Sequence, residues 1–159
     1  MQEIQIWNKK VWWDNPTFII AELSANHGWS IENAKRIIKA ASESWADAVK
    51  LQTYTAEDIT IDCNKDDFKI NWWTVWDWKT LFELYKETYT PWEWHEELKE
   101  YANSLWLELF SAPVNEKATD FLESINFPCH KLTSFDNENI PLIKYVAKTG
   151  KPIIISTWM

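Results

Sequence analysis

Five short apolar runs mark out the chain: Thr17 to Glu22, Asp47 to Gln52, Leu107 to Ala112, Cys129 to Leu132, and Pro152 to Thr157. None shows the strict alternation of a half-buried strand, so they read as strands covered on both faces, the habit of parallel sheets. Helical patterns lie between them, each with its own punctuation. Ser30 can cap a first helix through the periodic Ile31, Ala34, Ile37, Ile38 and Ala41. Thr90-Pro91-Trp92-Glu93 joins a capping box to a proline at the first helical position and predicts a helix to about Ser104. Asn115 caps a predicted helix to Ser124, and Pro141 opens one that runs to Lys148 and stops at Gly150. Strands alternating with helices imply an α/β fold with right-handed crossovers and a parallel sheet. The stretch from Tyr54 to Tyr89 is long for a connection and holds one predicted helix, Thr80 to Glu87. Such excursions often carry function.

An open doubly wound sheet can be complete with five strands. A TIM barrel takes eight strands and about 250 residues, so a barrel reading makes residues 1–159 its first five β/α units, truncated.

Polar residues gather at the C-terminal ends of the runs, where parallel α/β folds bind ligands. They are Glu22, Asn26 and His27; Lys50 and Gln52; Ser111; Lys131 and Ser134; and Ser156 with Thr157. Lys50 and Lys131 stand inside apolar strands, where an unpaired ammonium is costly. Either they pair with Glu22 and Asp136 as structure, or they join Ser134, Ser156 and Thr157 in holding a phosphate or carboxylate. His27, in a loop five residues past Glu22, suits a substrate hydrogen bond. His95 and Lys99 read as members of a solvated helix face, and His130 as an outward residue beneath a helix. No two histidines have metal-ligand spacing.

The formal net charge of −8 argues against nucleic acid or anionic membrane as partner. Met1 to Lys10 is polar, with no signal-like apolar region, and no apolar run approaches membrane-spanning length. Cys63 and Cys129 are too few and too far apart for a disulfide framework. A reduced, cytoplasmic protein is expected.

One pair of numbers changes the picture: 13 tryptophans against 2 glycines. Ordinary usage would place roughly eleven glycines in this length. Trp45 and Trp106 each follow a predicted helix, where a left-handed backbone favours glycine. Trp12-Trp13, Trp29 and Trp72-Trp73 sit in turn-like stretches. One reading is that UGA encodes glycine in the source and is printed as tryptophan at Trp7, Trp12, Trp13, Trp29, Trp45, Trp72, Trp73, Trp78, Trp106 and Trp158. The other is a chain truly rich in tryptophan. The first requires positive φ at Trp45 and Trp106, exposed turns at several of Trp12, Trp13, Trp29, Trp72, Trp73 and Trp78, and crowding of the strand-end pocket by Trp158. Trp76, Trp92 and Trp94 should instead bury their rings at negative φ.

The blocks FIIAELSANHG, DAVKLQTYT, YTPWEWH, LFSAP and HKLTSFDNENIPLIKYVAKTGKPIIIST, in this order, resemble the sialic acid (nonulosonate) synthase family, above all its pseudaminic acid synthase branch. The family has Gly-Met where this chain has Trp158-Met159, and Ala-Gly-Ala-Asp at Ser44-Trp45-Ala46-Asp47, whereas Trp76, Trp92 and Trp94 match family tryptophans. The resemblance implies a (β/α)₈ barrel with a small C-terminal antifreeze-like domain, of which residues 1–159 form the first part, and a homodimer when whole. It implies condensation of phosphoenolpyruvate with an N-acetylated amino sugar, releasing phosphate. N-acetylneuraminate or legionaminate synthesis is the alternative, and an inactive relative that only binds an anion or a partner is a further one. Carried over by motif, Glu22, Lys50 and Lys131 are catalytic. His27, Gln52, Ser134, Asp136, Ser156 and Thr157 line the substrate site. A divalent metal, Mn or Mg, is implied, with ligands outside this chain. Ala112 departs from the pattern, standing where many relatives have a hydroxyl donor.

Overall fold

The computed structural model describes residues 3–12, 14–71 and 73–157. The strands are β1 (Ile4–Ile6), β2 (Lys9–Val11), β3 (Ile20–Glu22), β4 (Ala48–Thr53), β5 (Glu108–Pro113), β6 (His130–Leu132) and β7 (Ile153–Ile155). The helices are α1 (Ile31–Glu43), α2 (Ala56–Ile59), α3 (Leu81–Thr88), α4 (Trp94–Ser104), α5 (Glu116–Ser124) and α6 (Ile140–Ala147). Strands β3 to β7 form one sheet, all parallel and in chain order. A doubly wound sheet reverses its strand order at a switch point; this one does not. It is an arc of a barrel, with β3 and β7 at its two edges.

Alternation along each strand sorts the side chains into two layers. Val49, Leu51 and Leu109 face the helices and pack with Leu23, Ala34, Ile38, Leu98, Ala102 and Leu122. Ala48, Phe110 and Cys129 face the concave side, with Phe18 and Ile154 packed beside them. That inner cluster is closed by an element absent from the sequence-based expectation, the antiparallel hairpin β1–β2, which contributes Ile6 and Val11. Asp47 ties the hairpin down: it accepts from Lys9 Nζ at 2.6 Å and from Ile19 N at 2.8 Å.

Two predicted caps form: Ser30 accepts from Asn33 N and Asn115 from Ala118 N. Thr80, expected only as the start of a helix, adds a capping box with Glu83. The capping box predicted at Thr90 does not form. α4 begins at Trp94, with a preceding turn in which Trp94 N donates to Pro91 O, and Thr90 Oγ1 is taken by His27 instead. Lys99 also leaves its expected solvated face: its Nζ donates to Ile125 O and Asn126 O, closing the C-terminus of α5, and burial lowers its pKa. Among the described residues, no helix is long and apolar enough to cross a membrane.

Among the described residues, eight other than glycine have positive φ, and six are tryptophans: Trp7 (53°), Trp29 (57°), Trp45 (62°), Trp73 (60°), Trp78 (76°) and Trp106 (63°). Trp45 and Trp106 occupy the position just past α1 and α4, in turns where Ala46 N reaches Ala41 O and Leu107 N reaches Ala102 O. The same turn after α5 uses Asn126, and α6 closes on Gly150. Trp7 is the first residue of the two-residue β1–β2 loop, where hairpins of type II′ place glycine. Trp12 departs from the expectation, being half-buried and outside the positive-φ group. Trp76, Trp92 and Trp94 are half-buried rather than fully so, and also lie outside that group. Trp13, Trp72 and Trp158 fall outside the described residues, so the expected crowding by Trp158 does too.

Candidate active site at the strand ends

The sheet register places Glu22 of β3 opposite Lys50 of β4, and Lys50 opposite Phe110 of β5. Lys50 therefore points to the concave side, two residues beyond Ala48. Its Nζ lies 2.8 Å from Glu22 Oε2, and its side chain is almost wholly buried. Glu22 Oε1 accepts from the Ser24 hydroxyl. On β6, His130 and Leu132 face the helices, so Lys131 points inward. Its Nζ donates to Ser156 Oγ at 2.6 Å and to Leu132 O at 2.7 Å. Among the described residues, Lys131 makes no ion pair, so the structural alternative of pairing with Asp136 is not formed.

Burial lowers the pKa of Lys131, and the positive charge of Lys50 lowers it further, against the opposing carboxylates of Asp136 and Glu22. Two ammonium groups facing the same concave space repel each other and lose hydration, a cost that a bound anion offsets with charge-assisted hydrogen bonds. Glu22 forms its ion pair with Lys50.

Gln52, two residues beyond Lys50 on the same face, lines a cavity of about 440 Å³ at the strand ends, with Ala112, Asp136, Tyr54, Tyr85 and Asp58. Ala112 presents only a methyl group to it. Asp136 Oδ2 accepts from Thr133 N at 2.9 Å and Thr133 Oγ1 at 2.5 Å, folding the turn Ser134–Asp136 against the mouth. Ser134 is half-buried in that turn, and Thr157 is exposed after β7. Sequence reasoning missed Tyr54, Asp58 and Tyr85. Their only signal is membership of the long excursion between β4 and α4, which here walls the site.

Three expectations are corrected. His27 does not reach the cavity. It is fully buried, its Nδ1 accepts from Trp29 N at 3.2 Å, its Nε2 lies 3.1 Å from Thr90 Oγ1, and its ring meets Trp94 edge-on. Both nitrogens hold the loop after β3 onto the entry to α4, in place of a substrate. Ser111 faces the helices, since Ala112 takes the inward position. It bonds Thr53 Oγ1 at 2.6 Å, and Thr53 bonds His95 Nε2 at 2.8 Å. His95, far from solvated, is fully buried; its Nδ1 lies 3.2 Å from Pro91 O, and desolvation lowers its pKa to about 4. His130 faces outward as expected, 2.7 Å from Glu123 Oε1. The three histidines are buried on separate elements, so the residues present do not make a site for the implied metal. Among the described residues, no three His, Cys, Asp or Glu side chains converge as one would require.

The profile of the NeuB family matches residues 37–159. The chain is 46% identical over 142 residues to a pseudaminic acid synthase of Helicobacter pylori, and 41% identical over 144 residues to one of Campylobacter jejuni. It is covered to 89% and 91% in these matches and spans 42% of the length of each relative. Among solved structures, an N-acetylneuraminic acid synthetase of Leptospira borgpetersenii superposes on 97% of the chain and 49% of its own, with a TM-score of 0.80 at 28% identity. The arc thus matches the N-terminal part of that barrel.

Proposed function

The chain belongs to the NeuB family, and we propose that the protein it forms condenses phosphoenolpyruvate with an N-acetylated amino sugar to a nine-carbon 2-keto sugar acid of the pseudaminic type. The observation that carries this reading is the pair of inward ammonium groups, Lys50 within β4 and Lys131 within β6, on the concave face of one arc. They would take the carboxylate and phosphate of phosphoenolpyruvate, with Ser156, already 2.6 Å from Lys131 Nζ, and the nearby Ser134 and Thr157 completing the anion contacts.

Carbon 3 of phosphoenolpyruvate then attacks the sugar aldehyde, whose oxygen becomes a hydroxyl. Water adds to carbon 2, and the resulting tetrahedral centre expels phosphate by breaking its carbon–oxygen bond, leaving the ketone. Glu22, held beside Lys50, is the carboxylate available to the sugar hydroxyls or to positive charge developing at carbon 2. Gln52 and Asp136 line the cavity next to it, where the sugar would lie. The identity of 46% to the Helicobacter pylori pseudaminic acid synthase supports that branch over N-acetylneuraminate or legionaminate synthesis.

The test is phosphate release by the full-length protein, with manganese present, from phosphoenolpyruvate and each of the three candidate amino sugars. Turnover with the pseudaminic precursor in preference to the others is expected. No release with any of the three sinks the synthase reading, and preference for N-acetylmannosamine moves it to the sialic branch.

A further inference from the structure

The loop leaving β3 contains a residue whose backbone is strained and whose side chain bears on the Glu22–Lys50 pair. Ser24 has a φ of 48°, a left-handed backbone that residues other than Gly, Asn and Asp seldom adopt. Its N–H donates to Lys50 O at 3.1 Å, an oxygen that also accepts from Leu23 N at 3.0 Å. Its hydroxyl donates to Glu22 Oε1, and Glu22 Oε2 meets Lys50 Nζ at 2.8 Å. The contacts close a ring: Ser24 backbone on Lys50 backbone, Ser24 hydroxyl on Glu22, Glu22 on the Lys50 ammonium. Glycine would suit this backbone better but would leave Glu22 Oε1 without the hydroxyl. Strain held at such a point marks a geometry the surrounding structure maintains for use.

We propose that Ser24 is a positioning residue: its hydroxyl fixes the Glu22 carboxylate, and through it the direction of the Lys50 ammonium. The functional part rests on the synthase reading above; the geometric part does not. In the full-length protein, Ser24→Gly relieves the backbone and removes the hydroxyl, so kcat should fall about tenfold, as expected for one charge-assisted hydrogen bond, while thermal stability holds or rises. Ser24→Asn, which tolerates the left-handed backbone and keeps a donor, should recover most of that loss. A residue serving the fold alone would move activity and stability together, and that result overturns the proposal. A crystal structure of Ser24→Gly tests the geometry independently of turnover. Glu22 turned away from Lys50 supports positioning, and an unchanged 2.8 Å contact refutes it. Wild-type protein with no turnover would count against the synthase reading, leaving this structural comparison to decide on Ser24.

A second observation stands independently. Four helices run into the next strand through a left-handed residue, and the four are Trp45, Trp106, Asn126 and Gly150. Two are residues that backbone favours; two are among the bulkiest side chains available. Trp45, Trp73, Trp78 and Trp106 are 85–97% exposed, so no packing explains their presence. Trp7 adds a hairpin position reserved for glycine. We infer that Trp7, Trp29, Trp45, Trp73, Trp78 and Trp106 are glycines in the natural protein, encoded by UGA read as glycine in its source. Two measurements decide it: the codons of the gene, and the masses of these peptides from the source organism. UGA at the six positions, UGG at Trp76, Trp92 and Trp94, and glycine masses support the inference. UGG at the six, or tryptophan masses, overturn it.

Discussion

Replacing Trp45 and Trp106 by glycine should stabilise the protein, the reverse of what deleting an indole normally does. A left-handed backbone costs a non-glycine residue roughly 1–2 kcal/mol through the clash of Cβ with the following carbonyl. Both indoles are nearly free of contacts, at 87% and 88% exposure, so their removal gives up little buried apolar area. The Schellman-type bonds from Ala46 N and Leu107 N are backbone bonds and survive. The net gain is about 1 kcal/mol per site, of order 2 °C in melting temperature for a protein of this family's length. The two turns are neighbours, since Ser42 Oγ donates to Leu105 O, so the double variant is needed to show whether the gains add. Thermal unfolding of full-length single and double variants is the assay, with Trp94→Gly as contrast. Trp94 opens α4 and packs on His27 and the main core, so its loss should cost about 3–5 kcal/mol. If Trp45→Gly and Trp106→Gly lower the melting temperature as Trp94→Gly does, the backbone argument is wrong.

Lys50→Ala and Lys131→Ala should each raise the KM for phosphoenolpyruvate about tenfold or more in steady-state kinetics, since buried charge-assisted contacts are worth roughly 1.5–3 kcal/mol. Lys39→Ala, removing an exposed i,i+4 partner of Glu43, is the control and should change nothing; Lys99 cannot serve, because it closes α5. Residues 1–159 alone should release no phosphate above blank, because five strands of a barrel leave the β3 and β7 edges open; clear turnover would contradict the arc's need for the rest of a barrel. His95 is neutral in the fold, with a pKa near 4 against 6.5 for the free side chain. The unfolded chain therefore binds the extra proton first, and stability falls as pH drops from about 6.5 to about 4, by on the order of 2–3 kcal/mol. Urea unfolding across that range should show the slope reduced in His95→Gln, and an unchanged slope would show that His95 is not its source.

The five strands of the parallel sheet, two of the helix caps and the parallel class were legible because each rests on local chemistry. Apolar runs without alternation, Ser30 and Asn115 ahead of helical periods, and proline near the start of α6 act within a few residues. The left-handed turns at Trp45 and Trp106 were legible too, since a helix end followed at once by a strand calls for that backbone. So were the lysines of the site, because an ammonium inside an apolar strand needs a partner wherever the strand ends up. What local pattern does not contain is the face each residue takes in the assembled sheet and the partner waiting there. Ser111 and Ala112 look equally placed at the end of β5, and only the register with β4 turns the methyl inward and sends the hydroxyl to Thr53 and His95. Thr90 looks like a cap until His27, 63 residues away in sequence, takes its hydroxyl and delays α4 to Trp94. Lys99 looks solvated until α5 ends beneath it. Strand identity, helix caps and helix-end turns came from the chain itself, because their interactions span a few residues. The destinations of the histidines and the convergence of the two ammonium groups were decided by tertiary structure, because their partners lie on other elements.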